Sequence, residues 1–146
     1  MKKILILYYS RTGNTEKMAH AVAEGAKNND AEVEVSFHVN ADSLEYFDAI
    51  VVGAPTYHHD MPVDFKNLFE EAAIKGINLK GKVGGVFGSY GWSGEAPKLI
   101  LEIMKNKFEM EIVQLPVLAR YLPDQEALIA CRELGQKISE RLMKKA

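Results

Sequence analysis

Three short segments carry the residues best suited to chemistry. The first is Ser10-Arg11-Thr12-Gly13-Asn14-Thr15. It follows an apolar run and precedes a helical pattern, so it lies where a helix begins. The first four N–H groups of a helix have no partner inside it, and the helix dipole favours an anion there. Gly13 lets the backbone curl toward a ligand, and Ser10, Thr12, Asn14 and Thr15 add short polar groups. The segment is a candidate phosphate loop. Two better-known loops are excluded: no Gly-Lys-Ser/Thr triplet occurs, and no G-x-G-x-x-G follows this strand. A site of hydroxyls and amides suits a phosphate monoester that stays bound. The same residues also serve as an ordinary Ser/Thr-rich helix cap, and Arg11 can point to the anion or to solvent.

The second and third segments are Pro55-Thr56-Tyr57-His58-His59-Asp60 and Gly88-Ser89-Tyr90-Gly91-Trp92-Ser93-Gly94. Each follows a strand pattern and puts aromatic side chains on a loop. The one tryptophan, Trp92, stands among glycines that let the chain wrap a flat object. Planar heteroaromatic rings gain from stacking on such residues. Taken singly, each aromatic also fits a partly buried surface position. Adjacent histidines on a loop rarely converge on one ion, so His58-His59-Asp60 is a poor metal motif. A histidine beside a redox ring would couple protonation to potential. Cys131 lies on an apolar helix face and reads as an inert thiol.

These segments need a scaffold that brings them to one edge. Residues 4–9 and 49–54 are continuous apolar runs, as in strands covered on both faces. Residues 32–39 alternate, with Val33, Val35, Phe37 and Val39 inward. Residues 82–88 form a glycine-rich strand that something must approach closely. Residues 111–118 form the last strand, uninterrupted, with Pro116 tolerable at an edge. Helical patterns fill 14–29, a segment opened by Asp60 and Pro62, 97–107, and a final helix capped by Asp124. Buried strands alternating with helices predict a parallel sheet covered on both faces, an α/β three-layer doubly wound fold of five strands. In such sheets ligands bind beyond the carboxyl ends of the strands. The three segments lie after the first, third and fourth strands.

The chain has 146 residues, enough for one domain over 1–146, and a net charge of −2. That balance argues against nucleic acid. No apolar run reaches the ~18 residues of a membrane span. A single cysteine suits a reducing cytoplasm, and a cytoplasmic protein is expected.

On Ser10-Arg11-Thr12-Gly13-Asn14-Thr15, Gly53-Ala54-Pro55-Thr56-Tyr57 and the Gly88–Gly94 segment, the whole chain resembles a flavodoxin. With Pro123-Asp124 and Cys131-Arg132-Glu133-Leu134-Gly135, it is most similar to the flavodoxin module of flavodiiron proteins. The 146 residues hold no diiron domain, so oxygen or nitric oxide chemistry is not carried over. The resemblance implies bound FMN, strand order 2-1-3-4-5 and electron transfer to redox proteins with flavin, iron–sulfur or diiron centres, by a monomer or weak dimer. It implies that Ser10, Arg11, Thr12, Asn14 and Thr15, with Gly13 at the turn, hold the phosphate. Pro55, Thr56, Tyr57 and His58 would line one side of the ring. Ser89, Tyr90, Gly91, Trp92 and Gly94 would line the other, with Trp92 or Tyr57 stacking.

Flavodoxins rotate a peptide beside the ring on reduction, commonly at a glycine. None occurs between Ala54 and Pro62, and Asp60 stands in its place. Asp60, Asp64, Glu95 and Asp124 would surround the ring end, each lowering the potential by at most ~70 mV at ~10 Å, or would be caps and solvated surface. An electron carrier is the leading reading. An FMN-dependent quinone or flavin reductase is the second. A receiver-like signalling domain is the third, although Tyr8-Tyr9-Ser10 stands where its acidic cluster would be.

Overall fold

The computed structural model describes all residues except Asn29, His58, Trp92 and Ala146. Strand β1 (Lys2–Tyr8) is joined by α1 (Asn14–Ala26) to β2 (Ala31–Ser36). A short 3-10 helix (Ala41–Tyr46) leads to β3 (Ala49–Gly53), then α2 (Val63–Ile74) and β4 (Val83–Tyr90). Helix α3 (Glu95–Glu102) continues as a wider turn, Ile103–Lys107. Two short strands follow, β5 (Glu111–Ile112) and β6 (Val117–Arg120), and then α4 (Gln125–Lys144).

The sheet is parallel throughout, in the order β2-β1-β3-β4-β5, with β6 also paired to β4. This is the expected doubly wound α/β fold with order 2-1-3-4-5. Alternation along β1 divides the core. Ile4 and Ile6 join Val51, Phe87, Met18, Val22, Leu134 and Ile138 on the α1/α4 face. Leu5 and Leu7 join Ile50, Val52, Val86, Phe65, Ile100 and Met104 on the α2/α3 face. Consecutive buried residues pointing opposite ways are the reason the central strands read as unbroken apolar runs.

The last strand is not continuous. Gly84 pairs with Ile112 and Phe87 with Val117, so three steps along β4 are matched by five along the edge. Two extra residues therefore loop out. The Val113 N–H still donates to Gly84 O at 3.1 Å, but Pro116 has no N–H to offer, and the ladder resumes only after it. Three other boundaries differ from the sequence pattern. Phe37 lies beyond β2 and is 75% exposed rather than inward. Helix α3 starts at Glu95 and widens after Glu102, where the Phe108 N–H reaches back to Ile103 O at 3.2 Å. Pro62 directly precedes α2, whereas Asp60 does not cap it.

The glycines of β4 make room for neighbours, as its composition predicts. A Cβ on Gly88 would stand 2.0 Å from the Ala54 carbonyl oxygen and 2.6 Å from the Pro97 ring. Helices α1 and α4 meet backbone to backbone, because a Cβ on Gly135 would lie 2.1 Å from Val22 O and 2.7 Å from Ala26 N. Close-packed interiors cannot absorb such an overlap without moving a helix. Gly135→Ala should therefore destabilise the fold by about 2 kcal/mol, read as a lower denaturation midpoint at unchanged m. An unchanged midpoint would show that the two helices have slack at this crossing.

Candidate flavin site

The in-register pairing of β1, β3 and β4 delivers three chain segments to one edge. The ladder runs past the strand ends: the Tyr9 N–H donates to Gly53 O and the Ala54 N–H to Phe87 O, both at 3.0 Å. The loops beginning at Tyr9 and Ala54 thus leave the sheet side by side, next to β4, which runs on to Tyr90 before its own loop begins.

The first loop turns on Gly13, which has φ 89° and no atom within 4 Å of where a Cβ would be. A left-handed turn there aims the following amides outward, at little cost only for glycine. The Ser10 hydroxyl accepts from the Gly13 N–H at 3.0 Å. The Lys17 N–H is the first to find a carbonyl, Gly13 O at 3.1 Å. Among the described residues, the amides of Arg11, Thr12, Asn14, Thr15 and Glu16 have no acceptor. Five unpaired donors at the positive end of a thirteen-residue helix form an anion cradle.

Two buried hydroxyls join this cradle to the third loop. Thr15, 1% exposed, and Ser89, 6% exposed, are linked Oγ1 to Oγ at 2.8 Å. Only one of them donates in that bond, which leaves one hydroxyl proton free for another acceptor. The exposed Arg11 guanidinium does not simply face solvent; it lies 5.3 Å from the centroid of the Tyr57 ring. Tyr57 meets Tyr9 edge to face at 6.1 Å. Burial is the main cause that raises its phenol above the ordinary value, and the Tyr9 charge adds to it, against Arg11.

The second loop is a tight turn. The Tyr57 N–H and carbonyl bond reciprocally with Asp60, both at 2.9 Å. The positive-φ position is His59, at φ 62°, and not Asp60. Asp60 is instead held in place: it pairs with Lys66 of α2 and accepts from the Met61 N–H at 2.8 Å. The Thr56 hydroxyl accepts from the Ala96 N–H at 3.0 Å, so the loop also caps α3. His59 Nδ1 lies 3.1 Å from both Glu95 Oε1 and Ser93 Oγ.

The carboxylates expected around the ring end are largely committed elsewhere. Asp60 is neutralised by Lys66, Glu95 faces His59, and Asp124 caps α4 by accepting from the Ala127 N–H at 2.8 Å. Their combined pull on a redox potential is correspondingly reduced.

Of the residues singled out from sequence, Ser10, Arg11, Thr12, Gly13, Pro55, Thr56, Tyr57, Gly91 and Gly94 sit on these three loops, Asn14 and Thr15 open α1, and Ser89 and Tyr90 end β4. His58 and Trp92 fall outside the described residues. Two further residues had not been singled out. One is His59. The other is Tyr121, whose ring covers Gly91 at 3.1 Å from a would-be Cβ and whose N–H bonds Tyr90 O at 2.6 Å. Tyr121 holds φ 57°, unusual for an aromatic residue, and is 61% exposed. Its signal was available: Tyr121 directly follows the last strand, as Tyr90 ends β4. Cys131 is buried, and burial pushes its thiol up to about 12, so it is inert.

An open groove of about 640 Å³ runs beside β2 past Lys3, Glu34, Asn40 and Tyr46. It shares no residue with the three loops. The unpaired amides, not the size of a hollow, locate the site. No described helix is long and apolar enough to cross a membrane.

The family model described as Flavodoxin matches residues 6–135. The structure titled as a flavodoxin from the domain Archaea superposes with TM-score 0.87 at 34% identity, covering 97% of this chain and 99% of that one. Oxidised Flavodoxin 1 from Bacillus cereus gives 0.85 at 27%, covering 99% and 100%. The Nitric oxide reductase of Moorella thermoacetica is 35% identical over 96% of this chain. The chain spans only 36%, 25% and 30% of three of the curated relatives it matches.

The Lys66 hydrogen bond leads the causes that hold the Asp60 carboxyl below its ordinary 3.8, helped by the Met61 N–H. A lowered folded value means this stability is present above the unfolded value and lost as pH falls through the folded one. The pair is partly exposed, so the effect is about 0.5 kcal/mol. Asp60→Asn should lower the melting temperature at pH 7 slightly and shrink its fall between neutral and strongly acidic pH. Parallel acid limbs for the two proteins would count against this pairing.

Proposed function

The chain belongs to the flavodoxin family, and we propose that residues 1–146 act as one FMN-binding unit that carries electrons between redox proteins. Flavodoxins bind FMN, a cofactor that accepts and returns electrons singly or in pairs. The observation that carries the reading is the coincidence at one sheet edge of two things. One is a cradle of unpaired amides around Gly13. The other is a pair of aromatic loops braced against each other.

The residues present fit that cofactor. The amides of residues 11, 12 and 14–16 would take the phosphate oxygens, with Ser10 fixing the turn. The free proton of the Thr15–Ser89 pair can be given to the same anion. Arg11 adds positive charge at the loop's mouth and shields the Tyr57 face. Tyr57, half-buried and propped edge-on by Tyr9, offers a flat wall to the ring. Thr56 and Ala96 hold the two ring-side loops together, which limits the reorganisation needed on binding and on each change of charge. The carrier reading also rests on similarity over nearly the full length of stand-alone flavodoxins. Relatives named as nitric oxide reductases match through a fraction of their length, and their activity is theirs.

The purified protein should take up FMN in a 1:1 complex and be reduced in two resolved one-electron stages, followed by absorbance. A protein that stays colourless with excess FMN sinks the reading. Steady NAD(P)H oxidation by the loaded protein alone would favour the reductase alternative. The phosphate end can be tested separately. Gly13→Ala forces a side chain into a left-handed turn, at roughly 1–2 kcal/mol. FMN affinity should fall about tenfold, while riboflavin, which lacks the phosphate, should bind the two proteins alike. An equal loss for both ligands would show that Gly13 serves the fold and not the phosphate.

A further inference from the structure

We propose that His59 is a protonation-controlled clasp that ties the 57–60 turn to the Ser93–Glu95 segment and so sets how firmly the two ring-side loops close on the flavin. This rests on the FMN reading of the site. His59 stands at the left-handed corner of the turn, φ 62°, with its imidazole reaching across to the other loop. Its Nδ1 lies 3.1 Å from Glu95 Oε1 and 3.1 Å from Ser93 Oγ. A carboxylate only accepts, so this contact requires a proton on Nδ1. A charged imidazolium always carries that proton and adds ionic attraction. A neutral imidazole can move it to Nε2 and present a lone pair to the carboxylate instead.

The opposing group is suited to stay charged. The Ser93 hydroxyl, first, and then His59 hold the Glu95 carboxyl below its ordinary range. Glu95 is also the first residue of α3, whose amino end favours negative charge. The clasp therefore strengthens as pH falls through the range where imidazoles charge, and weakens again only when Glu95 takes up a proton. Among the described residues, the charges of Asp60 and Arg11 beside the turn are already engaged, while Asp64 of α2 has no ion-pair partner. Asp60 is paired with Lys66 and the Met61 N–H, and Arg11 lies over Tyr57. Among the described residues of α3 and the loop before it, the groups in contact with His59 are Glu95 and Ser93. A second strap, Thr56 to the Ala96 N–H, is indifferent to pH and keeps the loops in register when the clasp opens.

Two measurements separate the clasp from the flavin reading. In the flavin-free protein, carbon NMR of the Glu95 carboxyl should show it titrating at higher pH in His59→Gln than in the natural sequence. No difference between the two would overturn the clasp, whatever binds. In the second measurement, FMN affinity is followed from pH 8 to pH 5.5 in the natural sequence, His59→Gln and Glu95→Gln. The FMN phosphate has its own proton in this range, so the comparison is between proteins. Relative to both variants, the natural sequence should gain about two- to fivefold in affinity on acidification. Parallel profiles in all three, with FMN bound, overturn the proposal and leave the flavin reading intact. Failure of every form to bind FMN removes that reading and this proposal with it.

Discussion

The parallel register of three central strands is the constraint on which the rest depends. Tyr8 pairs with Gly53, and Gly53 with Phe87, so β1 and β3 end level at one edge, where β4 runs on to Tyr90. Parallel strands need a crossover between them, and each crossover here leaves from that edge. The cradle of unpaired amides and both aromatic loops are therefore neighbours because of backbone hydrogen bonding, before any side chain of theirs interacts. A one-residue slip of β3 against β1 would turn Val51 out of the α1/α4 core. The burial of both faces and the placing of the site thus rest on one register.

Glycine at three places lets that arrangement become tight. Gly88 admits the Ala54 carbonyl, Gly135 admits the backbone of α1, and Gly13 makes the turn that exposes the amides. The first two concern distance and the third concerns φ. Close approach of β4 to the Ala54 loop brings Thr56 within reach of Ala96. Close approach of α4 to α1 holds the helix whose amino end forms the cradle.

Electrostatics at the site is governed more by pairing than by composition. Four carboxylates near the ring end suggested a strongly negative surround. Lys66, His59 and the α4 amide at Ala127 each take one, leaving Asp64. The positive end of α1, with Arg11 beside it, then stands against a surround in which Lys66 offsets one of the four carboxylates.

The sequence by itself determined the fold class and the three loops. Apolar runs at 4–9 and 49–54 and the glycine-rich 82–88 admit few structures other than strands buried on both faces. Turn chemistry at Ser10–Thr15 is local enough to be read from neighbouring residues. What it left open depends on contacts far apart in the chain. The split of the last strand is decided by its register on β4, with Pro116 marking the place. The left-handed residue is His59 rather than Asp60, because Lys66, a turn into the next helix, claims Asp60. Phe37, alternating correctly with Val33 and Val35, still ends exposed because the strand stops at Ser36. The Thr15–Ser89 and His59–Glu95 links span 74 and 36 residues, and no periodicity encodes them. Local pattern is written by backbone preference and burial, which act within a few residues. Which hydroxyl, imidazole or carboxylate meets which is decided only when the sheet sets its loops side by side.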